Sequence, residues 1–120
     1  MRVLIVDDTS RARQSMKALL DVWHQLQEVR EAANGNEAVQ LVEEFKPDII
    51  LMDARMPKMS GLEATRLIKA KWPQIKIIIL SVFTDYHALA LAAGADAFVS
   101  KSDPPEKLRE TLKDILAGME

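Results

Sequence analysis

The stretch Pro47-Asp48-Ile49-Ile50-Leu51-Met52-Asp53-Ala54-Arg55-Met56-Pro57 runs four apolar residues straight into a carboxylate. An apolar run of that kind, entered after a proline and left through Met56-Pro57, reads as a strand buried on both faces of a parallel sheet. In open α/β sheets ligands bind in the crevice beyond the carboxyl ends of the strands, so Asp53, one step past Met52, falls at the mouth of that crevice. A lone Asp at a strand end more often caps the next helix. Here Pro57 and Gly61 intervene before the next helical pattern, and Asp53 is read as a functional carboxylate.

Outward from this stretch the same grammar repeats. Val3 to Val6 is a second apolar run that ends in Asp7-Asp8, followed by Ala12, Met16, Leu19, Leu20 and Trp23 on one helical face. Residues 27–33 form a weaker strand candidate with Val29 as its large apolar residue, which places it near a sheet edge. Asn34 with Glu37 resembles a capping box, and Ala38, Leu41, Val42 and Phe45 continue the helix until Pro47 stops it. Ser60 with Glu63 is a second capping box, opening a helix that uses Ala64, Leu67 and Ile68 and ends at Trp72-Pro73. Ile75 to Leu80 is a third strongly apolar strand and delivers Ser81. Residues 84–93, closed by Gly94, predict an Ala-rich helix with a thin core contact. Residues 97–100 form a short strand that delivers Lys101. The last helix is expected to start with Asp103 as N-cap and Pro104 at its first position, with Leu108, Leu112, Ile115 and Leu116 facing the core. Five strands alternating with five helices predict an α/β domain whose parallel sheet is covered on both faces by right-handed crossovers.

Composition narrows the function classes. A chain of 120 residues fits one domain, here 1–120, able to bury a core unaided. A net charge of −2 gives no reason to expect nucleic acid or a membrane surface as a direct partner. The absence of cysteine removes disulfides and thiolate metal sites, and His24 and His87 form no ligand pair. The apolar start is too short for a signal peptide or membrane span, so a cytoplasmic location is expected. The basic residues Arg66, Lys69 and Lys71 read as a solvated helix face.

Four strands end in chemically useful residues: Asp7 and Asp8, Asp53, Ser81 and Lys101. Gathered carboxylates repel one another by roughly 4 kcal/mol per pair at 4 Å and an effective dielectric of 20, so such a constellation needs cations. Lys101 supplies one. An all-oxygen donor set suits a hard divalent ion, and Mg²⁺, which binds beside phosphoryl oxygens, fits best. An Asp carboxylate can attack phosphorus to give an acyl phosphate while Mg²⁺ and Lys neutralise the equatorial oxygens.

With Asp7-Asp8, Asp53, Met56-Pro57, Gly61, Ser81 and Lys101 in these positions, the whole chain resembles the receiver domain of bacterial response regulators in two-component systems. Its wording is most similar to receivers that precede a helix-turn-helix DNA-binding domain, although no such domain is present in this chain. The resemblance implies a flavodoxin-like, doubly wound five-stranded parallel sheet of order 2-1-3-4-5, an order for which a chemotaxis receiver is itself a standard example. It implies that Asp53 accepts phosphate from a histidine kinase or phosphotransfer protein. It further implies that Asp8, Asp53 and the carbonyl of Arg55 bind Mg²⁺ directly, that Asp7 acts through water, and that Lys101 pairs with the phosphoryl group. Ser81 is then drawn inward on phosphorylation and Phe98 is the switch aromatic that fills the space. Arg55 and Phe83 flank the path of attacking water. The expected protein is a signalling phosphoacceptor and not a general enzyme, catalysing only its own phosphorylation and dephosphorylation. Its partners would be a kinase and either a phosphorylation-dependent homodimer or an output domain, with transcription the expected output.

One departure from the family wording is Ser102, which stands where a cis proline commonly follows the lysine, so a trans bond is expected. A rival reading is a phosphatase of the haloacid dehalogenase type, which also uses an aspartyl nucleophile and Mg²⁺. Its signature separates the two Asp of the first strand by one residue, whereas Asp7 and Asp8 are adjacent. A third reading, an adaptor that is never phosphorylated, is disfavoured by the intact set of site residues.

Overall fold

The computed structural model describes residues 1–21 and 28–119. Trp23 and His24, and the first residue of the weak strand candidate, lie outside them. The described elements alternate as expected: β1 (Arg2–Val6), α1 (Ser10–Leu20), β2 (Glu28–Ala32), α2 (Gly35–Phe45), β3 (Ile49–Asp53), α3 (Gly61–Lys71), β4 (Lys76–Ser81), α4 (Tyr86–Ala92), β5 (Ala97–Ser100) and α5 (Pro105–Gly118). The strands form one parallel sheet of order β2-β1-β3-β4-β5. As its polar sequence required, β2 is an edge strand, and its outward residues Glu28, Arg30 and Glu31 stay exposed.

Alternation along the central strands splits the core into two layers. Leu4, Val6, Ile50, Met52, Ile77 and Ile79 pack against Val42 and Phe45 of α2, Ile68 of α3 and Ala90 of α4. Val3, Ile5, Ile49, Leu51, Ile78 and Leu80 pack against Met16 and Leu20 of α1 and Leu108 and Leu112 of α5. Every residue of β3 is buried, which is why it reads as an unbroken apolar run.

Local signals fix the helix ends. Asn34 accepts the Glu37 backbone N–H at 2.9 Å, and the Glu37 carboxylate in turn accepts from the Asn34 side-chain amide at 3.0 Å. Lys46 closes α2 in the left-handed region, φ 50°, with its N–H donating to the Val42 carbonyl, and Pro47 cannot continue the helix. Ser60 caps α3 by accepting from the Glu63 N–H at 3.2 Å. Beyond α4, Gly94 takes φ +101°, the conformation its sequence position predicted.

Three expectations are corrected. Leu67 does not face the core and is 48% exposed, because Thr65, fully buried, takes the place beside Ala64 and Ile68 on the inward stripe of α3. Asp103 is not the N-cap of α5: Pro104 is, and Pro105 holds the first helical position. The cause is the double proline, since Pro105 forces Pro104 into an extended conformation, φ −60° and ψ 153°. Finally, α4 is shorter than residues 84–93, because Phe83 to His87 first form a turn through Tyr86 N–H to Phe83 O at 3.2 Å.

Candidate functional site

Strand register builds the site. The sheet order reverses at β1, so a crevice opens between β1 and β3 at their carboxyl ends. Val6 pairs with Met52 across that crevice, which sets Asp7 beside Asp53. Asp53 pairs with Leu80, Ser81 with Ser100, and the Lys101 N–H donates to the Ser81 carbonyl at 2.9 Å, carrying Ser81 and Lys101 to the same rim. One carboxylate oxygen each of Asp7, Asp8 and Asp53 lies within 4.8 Å of the others. The Lys101 Nζ donates to Asp7 Oδ2 at 2.7 Å and stands 3.3 Å from Asp53 Oδ1.

The three carboxylates are not equivalent. Asp7 is completely buried, which by itself disfavours the carboxylate and pushes its pKa up. The Lys101 hydrogen bond, and the Thr9 N–H and Oγ1 donors at 2.9 Å on Asp7 Oδ1, outweigh burial and hold the group below the usual carboxylate range. Asp53 is pushed up by burial, against the attraction of Lys101, and the negative charge of Asp7 adds to the rise. Lys101 is raised: burial alone would lower it, but the Asp7 hydrogen bond and the charges of Asp53 and Asp7 prevail. Asp8 is exposed. Three carboxylates facing one ammonium leave an uncompensated negative pocket made of hard oxygen donors, and this fits a hard divalent cation.

Beside the carboxylates lies a cavity of about 250 Å³ lined by Asp53, Arg55, Ser81, Val82, Phe83 and Lys101. The buried Ser81 Oγ accepts the Phe83 N–H at 3.0 Å. At the mouth the Arg55 guanidinium sits over the Phe83 ring, 5.0 Å from its centroid, and Phe83 meets Tyr86 edge to face. The loop from β3 into α3 is held tight against the site, with the Gly61 N–H donating to the Ala54 carbonyl at 3.0 Å. A Cβ at Gly61 would overlap the Asp53 carbonyl oxygen, so only glycine allows this approach. Phe98 is half-buried on β5 and its ring stacks on His87 at 5.0 Å and 13°.

Asp7, Asp8, Asp53, Arg55, Ser81, Phe83 and Lys101 are therefore brought to one end of the sheet, whereas Phe98, the second residue of β5, pairs with Ile79 inside it. The sequence reading missed Thr9 and Arg13. Thr9 was legible, since an Asp followed two residues later by a Thr is an Asx-turn pattern. Arg13, whose Nη1 donates to the Asp7 carbonyl at 2.6 Å, carried no local signal.

Comparison with known proteins agrees with this geometry. The response regulator receiver domain family matches residues 3–113. The chain is 40% identical over 119 residues to the transcriptional regulatory protein YdfI of Bacillus subtilis, covering 98% of this chain and 55% of YdfI. It is 34% identical over 120 residues to the transcriptional regulatory protein DegU of Brevibacillus brevis, covering 98% of this chain and 51% of DegU. The chain thus spans about half the length of these curated relatives. Among solved structures, a two-component response regulator of the LuxR family from Aurantimonas superposes with a TM-score of 0.91 at 34% identity, over 98% of this chain and 85% of that one. The chemotaxis protein CheY4 of Vibrio cholerae superposes with a TM-score of 0.83 at 30% identity, over 94% and 96%.

Proposed function

The chain belongs to the response regulator receiver domain family, and on that premise we propose that Asp53 accepts a phosphoryl group from a histidine kinase or phosphotransfer protein. The observation that carries this reading is the approach of Asp7, Asp8 and Asp53 oxygens to within 4.8 Å of one another, with Lys101 3.3 Å from Asp53. An Asp53 oxygen attacks phosphorus, the bond from phosphorus to the donor nitrogen breaks, and an acyl phosphate forms in the cavity that Ser81 and Lys101 line. Lys101 neutralises a phosphoryl oxygen and the Ser81 hydroxyl donates to another. Mg²⁺, held by Asp8, Asp53 and the Arg55 carbonyl with Asp7 acting through water, would supply the remaining charge neutralisation. The phosphoryl group pulls Ser81 inward, and the Phe98 ring turns into the vacated space and changes the surface of α4, β5 and α5.

Residues 1–120 are read as the receiver unit of a cytoplasmic signalling protein whose output is transcription, exerted through a DNA-binding domain outside this chain. Among the described residues no helix is long and apolar enough to cross a membrane. Phosphorylation is proposed to promote self-association or docking of the output domain, with no nucleic acid bound by this domain itself. Incubation with Mg²⁺ and acetyl phosphate tests the reading: one retained phosphoryl adduct on Asp53 is expected. Continuous phosphate release without an adduct would instead make the protein a phosphatase, and no reaction would leave the adaptor.

The Arg55–Phe83 contact makes a prediction about the lifetime of that adduct. In this reading water reaches the phosphoryl group past the Arg55 guanidinium, which stacks on the Phe83 ring. An exposed cation–π contact is worth about 0.5–1 kcal/mol, which corresponds to about a two- to fivefold change in rate. Arg55→Ala combined with Phe83→Ala is expected to shorten the phosphoprotein half-life by that factor in a time course of intact mass. Equal or slower dephosphorylation would refute the obstruction.

A further inference from the structure

We infer that Arg13, a residue outside the metal-binding and phosphoacceptor set, is a positioning residue that aims Asp8 at the cation by locking the peptide plane between Asp7 and Asp8. Its side chain is only 17% exposed, and its guanidinium is held through two of its nitrogens. Nη1 donates to the Asp7 carbonyl at 2.6 Å, and Nε donates to Glu31 Oε1 at 2.9 Å. Glu31 lies on the edge strand β2, in register with Ile5 of β1, and Lys17 of α1 binds its other oxygen at 3.3 Å. Arg13 thereby ties α1, β1 and β2 together at the rim of the site.

The consequence follows from peptide geometry. The Asp7 carbonyl and the Asp8 N–H belong to one planar unit, so a donor that fixes the carbonyl also fixes the direction in which the Asp8 Cα leaves the strand. The other side of Asp7 is already held, its N–H donating to the Ala32 carbonyl at 3.1 Å and its carboxylate occupied by Thr9 and Lys101. Asp8, by contrast, is exposed, and its carboxylate is the member of the acidic cluster least confined by packing. Backbone orientation is what keeps it convergent with Asp53. Arg13 acts on the metal as an outer partner acts on a ligand, through the ligand's orientation and not through contact.

This inference rests on the reading of the acidic cluster as a Mg²⁺ site, and the test separates the two. Mg²⁺ dissociation constants are measured by calorimetric titration for the parent, Arg13→Ala and Arg13→Lys, with metal-free melting curves alongside. Arg13→Ala is expected to weaken Mg²⁺ binding about tenfold, the scale seen when an outer-sphere partner is removed. Arg13→Lys, which keeps the charge and one donor, should fall between Ala and the parent. Deleting a cation beside a cation site would by charge alone tighten binding, so the sign of the change distinguishes positioning from electrostatics. Binding by Arg13→Ala that equals or exceeds that of the parent overturns the inference. If Arg13→Ala does not fold, Glu31→Ala, which removes the acceptor of the Arg13 Nε–H, decides in the same way: weaker binding supports the role and unchanged binding overturns it. A parent that binds no Mg²⁺ would instead sink the metal reading itself.

Discussion

Asp53→Asn is expected to take up no phosphoryl group from Mg²⁺ and acetyl phosphate, while melting above the parent in metal-free buffer near neutral pH. The first result follows because Asp53 is the carboxylate lining the cavity with Ser81, Phe83 and Lys101, and an amide of the same shape is not a nucleophile. The second follows from the sign of its acidity shift. Burial, incompletely offset by Lys101 and reinforced by Asp7, raises the Asp53 carboxyl above its unfolded value. A carboxyl raised on folding stabilises the fold below its unfolded value and loses that contribution as pH rises through its folded value. At neutral pH the ionised Asp53 is therefore a cost, and asparagine removes it. The gain is of order 1 kcal/mol, the lower end of what replacing an imperfectly compensated buried charge gives. In a chain of this size that is about 4 °C. The difference should shrink as the buffer is acidified, because the parent then becomes neutral at the same position. Intact mass spectrometry and melting curves across the acid range decide both points. A retained adduct in Asp53→Asn would move the phosphoacceptor elsewhere, and a lower melting temperature would contradict the charge argument.

Lys101→Ala is expected to have the larger effect on stability, about 3 kcal/mol at neutral pH without metal. Removing one partner of a buried pair leaves the other uncompensated, which costs about 3–5 kcal/mol. The lower bound is used because the Lys101 side chain is 26% exposed. The group stranded is Asp7, fully buried, with only the Thr9 donors left on its Oδ1. In the parent, burial of Asp7 is outweighed by Lys101 and Thr9, and the carboxyl sits below its unfolded value. Stability from it is present above the unfolded value and lost as pH falls. In Lys101→Ala burial prevails, the carboxyl rises, and stability is lost as pH increases. Lys101 itself is raised on folding, so its own contribution in the parent persists through neutral pH and disappears only in the alkaline range. Parent and variant should thus converge in acid and separate towards neutrality. Mg²⁺ should narrow the gap by binding the folded state, provided the acidic cluster still gathers it. Denaturant midpoints near pH 4 and pH 7, about a full proton transition of a carboxyl apart, with and without Mg²⁺, give the comparison. A loss of equal size at both values would show that Lys101 contributes packing of its alkyl stem and not charge.

Much of this architecture was legible in the sequence because its signals are local. Continuous apolar runs at Val3–Val6, 49–52 and 77–80 state burial on both faces without reference to any neighbour. Asn34 and Ser60 cap their helices as expected, each accepting the N–H of the glutamate three residues on, because such a bond is completed within four residues. The Glu37 carboxylate accepts in return from the Ala33 N–H and the Asn34 side-chain amide, not from the Asn34 backbone N–H of a full capping box. Parallel topology then delivers the residues that follow each strand to one rim, so Asp7, Asp53, Ser81 and Lys101 could be read together before any coordinates.

What only the tertiary structure decided depends on which side chains meet. Thr65 stands in the core where Leu67 was expected, because periodicity alone does not fix which edge of the apolar stripe of α3 turns inward. The Arg55–Phe83 stack joins two different strand-end loops, and Arg13 reaches both Asp7 and a glutamate eighteen residues further along the chain. The opposite shifts of Asp7 and Asp53 are likewise invisible in sequence, since both are aspartates at strand ends. Thr9 and Lys101 give Asp7 three donors that outweigh its burial, whereas at Asp53 the attraction of Lys101 and the Arg55 backbone N–H do not outweigh burial and the neighbouring negative charge of Asp7. Sequence determined where the charges would gather, because alternating strands and helices make the sheet parallel and every strand then delivers its following residue to the same rim. The fold determined which charge is satisfied, because hydrogen-bond partners are assigned by register between segments far apart in the chain.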